Sequence, residues 1–199
     1  MLKRCFKNLL ISCLTKLCVI APITFSSVYA QEKPQIRAVS GTSADRNAHV
    51  QTMLTAAVRH ELFTLPYYDV FDWLDADIYP DGKVVLRGEV VRPTTKSDAE
   101  ARVRRIESVT SITNEIKVLP LFSSDNALRI SLYRAIYNWN SPLFRYGTRA
   151  MPPIHIIVEN GRATLKGVVA SQTDSQLAYT YARQVPGLFD VRNELRIED

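Results

Sequence analysis

Residues 81–88 read DGKVVLRG, and residues 160–167 read NGRATLKG. These two stretches are 79 positions apart, and the same shift, without a gap, places ITNEIKV (112–118) on VRNELRI (191–197). Two separated blocks in one register are hard to obtain by chance. The chain therefore contains one structural unit twice, and the quoted stretch lies at the centre of each copy.

An alternating run precedes the quoted stretch in both copies, and a turn pair opens it. The apolar members are Leu74, Ala76 and Ile78 in copy one and Ile154, Ile156 and Val158 in copy two. Period-2 alternation is typical of a half-buried strand, and Asp-Gly or Asn-Gly tolerates the positive φ that closes a hairpin. We therefore predict a hairpin in each copy with structural glycines at Gly82, Gly88, Gly161 and Gly167, where Gly88 and Gly167 lie at positions at which a side chain clashes with a neighbour.

Helical periodicity flanks each hairpin. The apolar residues of the first helix are Leu54, Ala57, Val58 and Leu62 in copy one and Leu128, Leu132, Ala135, Ile136 and Trp139 in copy two. A second helix is predicted to start near Thr95, three residues before Asp98, and near Thr173, three before Gln176, in patterns close to a capping box. The fold class is therefore α+β, with two tandem α-β-β-α-β units, each a small three-stranded mixed sheet packed against two helices.

These patterns also predict the boundaries of the segments. We expect a signal peptide at 1–30, a flexible lead-in at 31–44, a first domain at 45–120, a linker at 121–126 and a second domain at 127–199. A unit of roughly seventy residues can bury only a modest core. The two copies are therefore expected to pack against each other or against a partner.

The first thirty residues are typical of a secretory leader. They contain the basic residues Lys3, Arg4, Lys7 and Lys16, no acidic residue and a mostly apolar stretch, which suits cleavage after Ala30 and export to the periplasm. All three cysteines lie there, so the exported chain has no thiol for a disulfide or a zinc-thiolate site. Lipidation at Cys13 is the alternative to cleavage after Ala30.

Removing the leader also removes four of the 25 basic residues, whereas all 20 acidic residues remain. The near-neutral exported chain lacks the basic character of a nucleic-acid-binding domain. We therefore expect no nucleic-acid partner, and the oligomeric state stays open.

The order of motifs resembles the BON-domain family: a short strand, Asp/Asn-Gly, Leu, a basic residue and Gly, then a helix and a hydrophobic-x-Asn-x-hydrophobic strand. The resemblance covers roughly residues 48–199 and is closer in copy two, because copy one has Ser108 where the family has a glycine. It implies an exported, non-catalytic protein of the osmotic-shock, stress-response type. Such units attach to phospholipid membranes or to other envelope proteins.

The sequence offers little for catalysis or for a metal. Within the acidic run at Asp69, Asp72, Asp75, Asp77 and Asp81, the stretch from Asp75 begins like an EF-hand loop, but Tyr79 and Leu86 stand at the fifth and twelfth positions, where a calcium loop needs acidic or amide oxygen ligands. We interpret the run as a solvated strand face and turn. No nucleophile elbow, phosphate loop or metal-ligand spacing of histidines is present, which predicts a non-enzyme without a cofactor.

The best candidate for a binding site is the first helix of copy two with the stretch after it. Aromatic and arginine residues alternate there: Arg129, Tyr133, Arg134, Tyr137, Trp139, Phe144, Arg145, Tyr146 and Arg149. Such a set suits the boundary of an anionic membrane, where aromatic rings and cations meet lipid headgroups. The competing interpretation is that the aromatic residues belong to the core and the arginines are solvated.

Two functions follow as hypotheses. The first is a binding module of the cell envelope that associates through domain 2 with an anionic phospholipid surface. The alternative is a protein-interaction or chaperone-like module that uses exposed strand edges or the aromatic segment without a lipid ligand.

Overall fold

The computed structural model describes residues 43–198, with side-chain surroundings from residue 48 onward. The leader, its cysteines and nearly all of the lead-in lie outside the described residues, so those predictions stay untested. Within the described range no helix is both long and apolar enough to cross a membrane. The described residues belong to one compact unit.

Copy one contains the predicted α-β-β-α-β order. Its elements are α1 (Ser43–Phe63), β1 (Trp73–Ile78), β2 (Lys83–Val90), α2 (Pro93–Val103), β3 (Ser111–Asn114) and β4 (Lys117–Val118). β1 runs antiparallel to β2, and β3 and β4 both run parallel to it. β3 and β4 are thus two halves of the predicted last strand, and the mixed sheet is confirmed.

Copy two repeats this order with one addition. Its elements are α3 (Ser123–Ile136), the short helix α4 (Phe144–Gly147), β5 (Ile154–Glu159), β6 (Arg162–Val169), α5 (Gln172–Arg183) and β7 (Asp190–Ile197). β5 is antiparallel to β6, and β7 runs parallel to β6 over eight residue pairs. The fold class is therefore as predicted in both copies, and α4 is the element that periodicity did not reveal.

One glycine in the second strand of each hairpin is required because the backbone of the first strand approaches closely there. Gly88 and Gly167 have φ of +133° and +124°, and a Cβ there would overlap the carbonyl oxygens of Trp73 and Pro153 on the neighbouring strand. Both a positive φ and a clash with backbone exclude a side chain. Gly88 and Gly167 therefore allow the two strands of each hairpin to approach closely.

The two hairpin turns differ in length by one residue. Asn160 and Gly161 form a two-residue turn with both φ values positive, at 51° and 72°, whereas copy one inserts Pro80, and Tyr79 N–H donates to the Lys83 carbonyl across a longer turn. Gly88 therefore matches Gly167 at a shift of 79, but Leu74 matches Ile154 at a shift of 80. The repeat register therefore changes at the turn, where copy one has one residue more.

The repeated asparagine of the last strand ties that strand to the second helix. Asn193 Nδ2 donates to the Ser175 carbonyl oxygen at 3.2 Å and to its Oγ at 2.9 Å. Asn114 Nδ2 donates to the Lys96 carbonyl and to Glu100 at 3.1 and 3.0 Å. The asparagine of the hydrophobic-x-Asn-x-hydrophobic motif therefore holds the last strand against the second helix in both copies.

The predicted starts of the second helices are wrong by about two residues. α2 begins at Pro93, and Thr95 is buried inside the helix. Proline suits the first turn of a helix, because a backbone N–H at that position would have no carbonyl partner within the helix. α5 is capped by Ser171, whose Oγ accepts a hydrogen bond from Asp174 N–H at 3.1 Å, so the cap precedes Thr173.

The copies interlock, as the small size of each core led us to expect. Val70, from the chain between α1 and β1, packs in the core of copy two, while Met151 packs against the core of copy one. The Ile156 amide donates to the Val70 carbonyl at 2.8 Å. Two ion pairs, Lys117–Glu159 at 2.6 Å and Lys166–Glu89 at 3.0 Å, also join the copies.

Gly167→Ala should abolish folding or lower the free energy of unfolding by more than about 4 kcal/mol, because the clash is with backbone. Gly187→Ala is the matched control, since Gly187 also has a positive φ but a Cβ there meets only a Leu128 methyl at 3.5 Å. The control should cost about 1–2 kcal/mol, the cost of the left-handed conformation. Urea unfolding measures both variants, and equal losses would contradict the close-approach account.

Candidate functional site

Helix α3 places two of the predicted binding residues against the outer edge of β5. Arg129 is 1% exposed, and its Nη2 donates to the Val158 carbonyl at 2.7 Å. The buried Tyr137 hydroxyl donates to the Ile154 carbonyl at 2.7 Å. Together with the bond from Ile156 to Val70, these contacts satisfy backbone groups along the strand edge that faces away from β6. Arg129 and Tyr137 therefore hold the fold together and do not lie at the surface.

The short helix α4 is fixed to the start of α5 by two more members of the set. The buried Tyr146 hydroxyl donates to Asp174 Oδ2 at 2.9 Å and accepts from the Ala170 amide at 2.9 Å. Arg145 is exposed but pairs with the same Asp174 oxygen at 2.6 Å. Tyr146 is thus a third structural residue of the set, and the exposed Arg145 also lies over its ring, with Cζ 4.9 Å from the ring centroid.

Four further members lie wholly or partly at the surface. Trp139 is 78% exposed and stacks on the half-buried Phe144, with ring centroids 4.9 Å apart. Arg134 and Arg149 are exposed and make no ion pair within the described residues. Because Phe144, Arg145 and Arg149 follow Trp139 within ten residues, we call Trp139, Phe144, Arg145 and Arg149 the aromatic corner.

The position of Trp139 corrects one expectation. We had placed it on the apolar face of the first helix, but α3 ends at Ile136, and Tyr137 leaves the helical backbone with φ −97° and ψ 29°. This early end lets the Tyr137 hydroxyl reach Ile154 and turns the following residues away from the core. Tyr133, by contrast, is half-buried and faces copy one, where its ring lies 6.3 Å from that of Phe71.

The sequence did not reveal a buried polar cluster between the copies. Asp72, which we had interpreted as part of a solvated face, is 1% exposed, and its Oδ1 accepts from the Val91 amide at 2.6 Å. Burial raises the pKa of Asp72 to about 6. The other four aspartates of that run are exposed, as expected, and no group of three or more metal-ligating residues occurs in the described part of the chain.

His155 of β5 lies on the other side of this junction. It is 4% exposed, and its ring lies 5.5 Å from that of Tyr68 and 5.2 Å from that of Trp73, both of copy one. Burial lowers the pKa of His155, so the imidazole is neutral near neutral pH. Its Nδ1 is buried without a hydrogen-bond partner among the described residues.

Comparison with known proteins identifies one family. The BON-domain model matches residues 52–120 and 144–199, which together cover more than half of the chain. The second match begins at α4, so α3, with Arg129 and Tyr137, lies outside it. No curated protein matches the chain.

Two solved structures give weak matches. One is CdsD, described as a structural protein of the type III secretion system of Chlamydia trachomatis, at 12% identity and a TM-score of 0.29 over 73% of this chain and 92% of that one. The other is the C-terminal domain of CdsD, at 12% identity and a TM-score of 0.27 over 72% and 96% of the two chains. These TM-scores are too low to establish a shared fold.

The raised pKa of Asp72 makes stability depend on pH in a defined direction. Because the folded chain holds the proton more tightly than the unfolded chain, the protonated carboxyl stabilises the fold below the unfolded pKa, and this contribution is lost as pH rises through about 6. Asp72→Asn cannot ionise, and its amide oxygen can still accept from the Val91 amide. Relative to wild type, the variant should therefore gain about 2 kcal/mol between pH 4 and pH 7.

Urea unfolding at both pH values measures this difference. His155 is present in both proteins, so its own dependence on pH largely cancels in the comparison. Glu107→Gln, at an exposed carboxylate that does not act on Asp72, is the control and should show little change. A difference between Asp72→Asn and wild type that is the same at both pH values would show that burial does not raise this pKa.

Proposed function

The chain belongs to the BON-domain family, and from this premise we propose that it is a non-enzymatic module of the cell envelope that binds an anionic phospholipid surface through its second repeat. The family is associated with the envelope and is generally non-catalytic. In this proposal the leader at 1–30 delivers the chain to the periplasm, and the aromatic corner makes the membrane contact.

The exposure of Trp139 is the observation that carries this proposal. A tryptophan in water loses the free energy that burial of its large apolar surface would supply, and tryptophan is enriched where a membrane meets water. Phe144 supports the Trp139 ring from one side, so the pair presents a joined apolar surface. That surface is suited to insertion among lipid headgroups.

The charge around the pair favours an anionic surface. From Tyr137 to Met151 the chain contains Arg145 and Arg149 and no acidic residue. Each arginine near an anionic membrane contributes about 1 kcal/mol. Arg145 contributes less, because Asp174 already neutralises part of its charge. Arg149 is therefore the principal cation of the proposed contact.

The roles of the buried charged residues support a non-catalytic assignment. Asp125 accepts from the backbone amides of Asn160 and Gly161 at 2.8 and 2.9 Å, and so fixes the hairpin turn. The Asp174 carboxylate accepts from the Tyr146 and Ser171 hydroxyls, at 2.9 Å each, and so holds α4 against the start of α5. These carboxylates are occupied by the fold and are not arranged as an acid–base pair.

A protein partner is the second candidate, and the edge of β7 favours it. Among the described strands β7 pairs only with β6, so we infer that the eight residues Asp190–Ile197 offer their other edge to a strand from another protein. Such an edge supports strand addition. Its alternating charges at Asp190, Arg192, Glu194 and Arg196 would select a partner strand of complementary charge.

Sedimentation with vesicles tests the membrane proposal. At low salt the purified chain should sediment with vesicles that contain an anionic phospholipid and not with neutral vesicles. Trp139→Ala should weaken binding by roughly tenfold or more, from the loss of a buried aromatic surface. Arg149→Gln should weaken binding to anionic vesicles by roughly fivefold.

Phe189→Ala is the matched control for these variants. Phe189 is another aromatic residue of copy two and is 82% exposed, but it lies outside the aromatic corner. The Phe189→Ala variant should bind anionic vesicles like the wild-type chain. Equal absence of binding to both kinds of vesicle, or a Trp139→Ala variant that binds normally, would overturn the membrane proposal and leave the β7 edge as the leading candidate.

A further inference from the structure

A cavity of about 490 Å³ lies where the two repeats meet, away from the aromatic corner. Its walls come from the end of α1, from β1, from residues 151–155 and from β6 and β7. A volume of this size lies within the range of small-molecule sites. Because both repeats supply walls, the cavity exists only in the assembled tandem fold.

The walls of the cavity are mainly apolar. Phe63 and Trp73 come from copy one, and Met151, Pro152, Pro153 and Val168 come from copy two. Phe63 and Val168 are partly exposed to solvent in the empty cavity, although both are large apolar side chains. An apolar body placed in the cavity would cover them, which is a favourable change.

The charged residues at the cavity favour an anion. Arg59 of α1 and Arg196 of β7 reach it from opposite repeats, and neither makes an ion pair within the described residues. The single acidic residue in the lining is Asp75, whose Oδ1 already accepts from the Ala76 amide at 2.9 Å. The lining thus contains two arginines without an ion pair among the described residues and one carboxylate that is already partly engaged.

His155 adds a polar group to the apolar wall. It lines the cavity, and burial lowers its pKa, so a neutral imidazole borders the apolar wall. Apolar walls with a few convergent polar groups are the usual composition of a ligand site.

We propose that this cavity binds a monomeric amphipathic carboxylate, with its hydrocarbon body between Phe63, Trp73 and Val168 and its carboxylate held by Arg59 and Arg196. The arginines recognise the carboxylate because guanidinium and carboxylate groups form charge-assisted hydrogen bonds. A peptide is a poorer fit, since strand addition needs an extended edge and the cavity is bounded by both repeats. The site takes a single dissolved molecule and is separate from any bilayer contact at Trp139.

The ligand should also strengthen the junction between the repeats. A molecule that binds only the folded chain raises its stability in proportion to the logarithm of its concentration. Here the ligand contacts both repeats at once, so the stabilisation acts on the tandem unit as a whole. A rise in the midpoint of thermal unfolding with ligand concentration is therefore a second readout.

Trp73 gives a direct probe of occupancy. The chain has two tryptophans, so Trp139→Phe leaves Trp73, in the cavity wall, as the only one. In that background, decanoate titrated below its micelle concentration should change the Trp73 emission saturably and raise the unfolding midpoint. Decanol, with the same chain and no charge, should bind roughly tenfold more weakly, because it cannot pair with the arginines.

Substitutions of the arginines separate charge recognition from apolar binding. Arg59→Gln and Arg196→Gln should each weaken decanoate binding several-fold and leave decanol binding unchanged. Arg192→Gln is the matched control, because Arg192 lies on the same strand but outside this cavity and pairs with Asp190 at 3.6 Å. It should bind decanoate as the Trp139→Phe background does.

Three results would overturn the proposal: no saturable change in Trp73 emission, equal binding of decanoate and decanol, or equal weakening by Arg192→Gln and Arg196→Gln. The outcome is independent of the membrane proposal. Vesicle binding depends on Trp139 and Arg149, and the cavity assay is made in a chain that lacks Trp139. Either proposal can therefore fail alone.

Discussion

The outer edge of β5 is the constraint on which the rest of the structure depends. Three backbone groups along it, the carbonyls of Ile154 and Val158 and the amide of Ile156, are away from β6 and buried under other elements. Leaving such a group unpaired costs about 1–3 kcal/mol. Each is paired, by the Tyr137 hydroxyl, by Arg129 and by the Val70 carbonyl. These three bonds determine where α3 lies and bring copy one against copy two.

The junction of the copies follows from this edge. Because Val70 is bound to β5, the residues beside it lie against copy two, and Asp72 is buried. His155, the neighbour of Ile156 on β5, then packs between Tyr68 and Trp73. The same placement leaves the apolar cavity beside His155. The burial of Asp72, the burial of His155 and the cavity thus all follow from the contact between Val70 and β5.

The parts of the fold that depend on local interactions could be predicted from the sequence. The close approach at Gly88 and Gly167 takes place within one hairpin, so the repeated glycines already signal it. The turn pair lies within the same hairpin, whereas the last strand and its asparagine join the sheet and the second helix over longer separations. The predicted starts at Thr95 and Thr173 are wrong because α2 begins with Pro93 and Ser171 caps α5.

The roles of the candidate site residues depended on the other repeat and were harder to predict. The buried face of α3 is Asp125, Arg129, Leu132 and Ile136, at the spacing of one helical stripe. An arginine in such a stripe was a usable signal for a buried, structural role, and copy one repeats the contact with a donor from Gln51 Nε2 to the Ile78 carbonyl at 3.2 Å. No local pattern marks the burial of Asp72, because its neighbours come from other parts of both copies.

Native-state hydrogen exchange at the Ile156 amide tests most directly whether the two repeats form one cooperative unit through the edge of β5. If they do, this amide exchanges only on global unfolding, with the same free energy of opening as the core amides of β2 in copy one and β6 in copy two. A lower opening free energy at Ile156, while the β6 amides keep the global value, would show that copy one detaches by itself. That result would contradict the account.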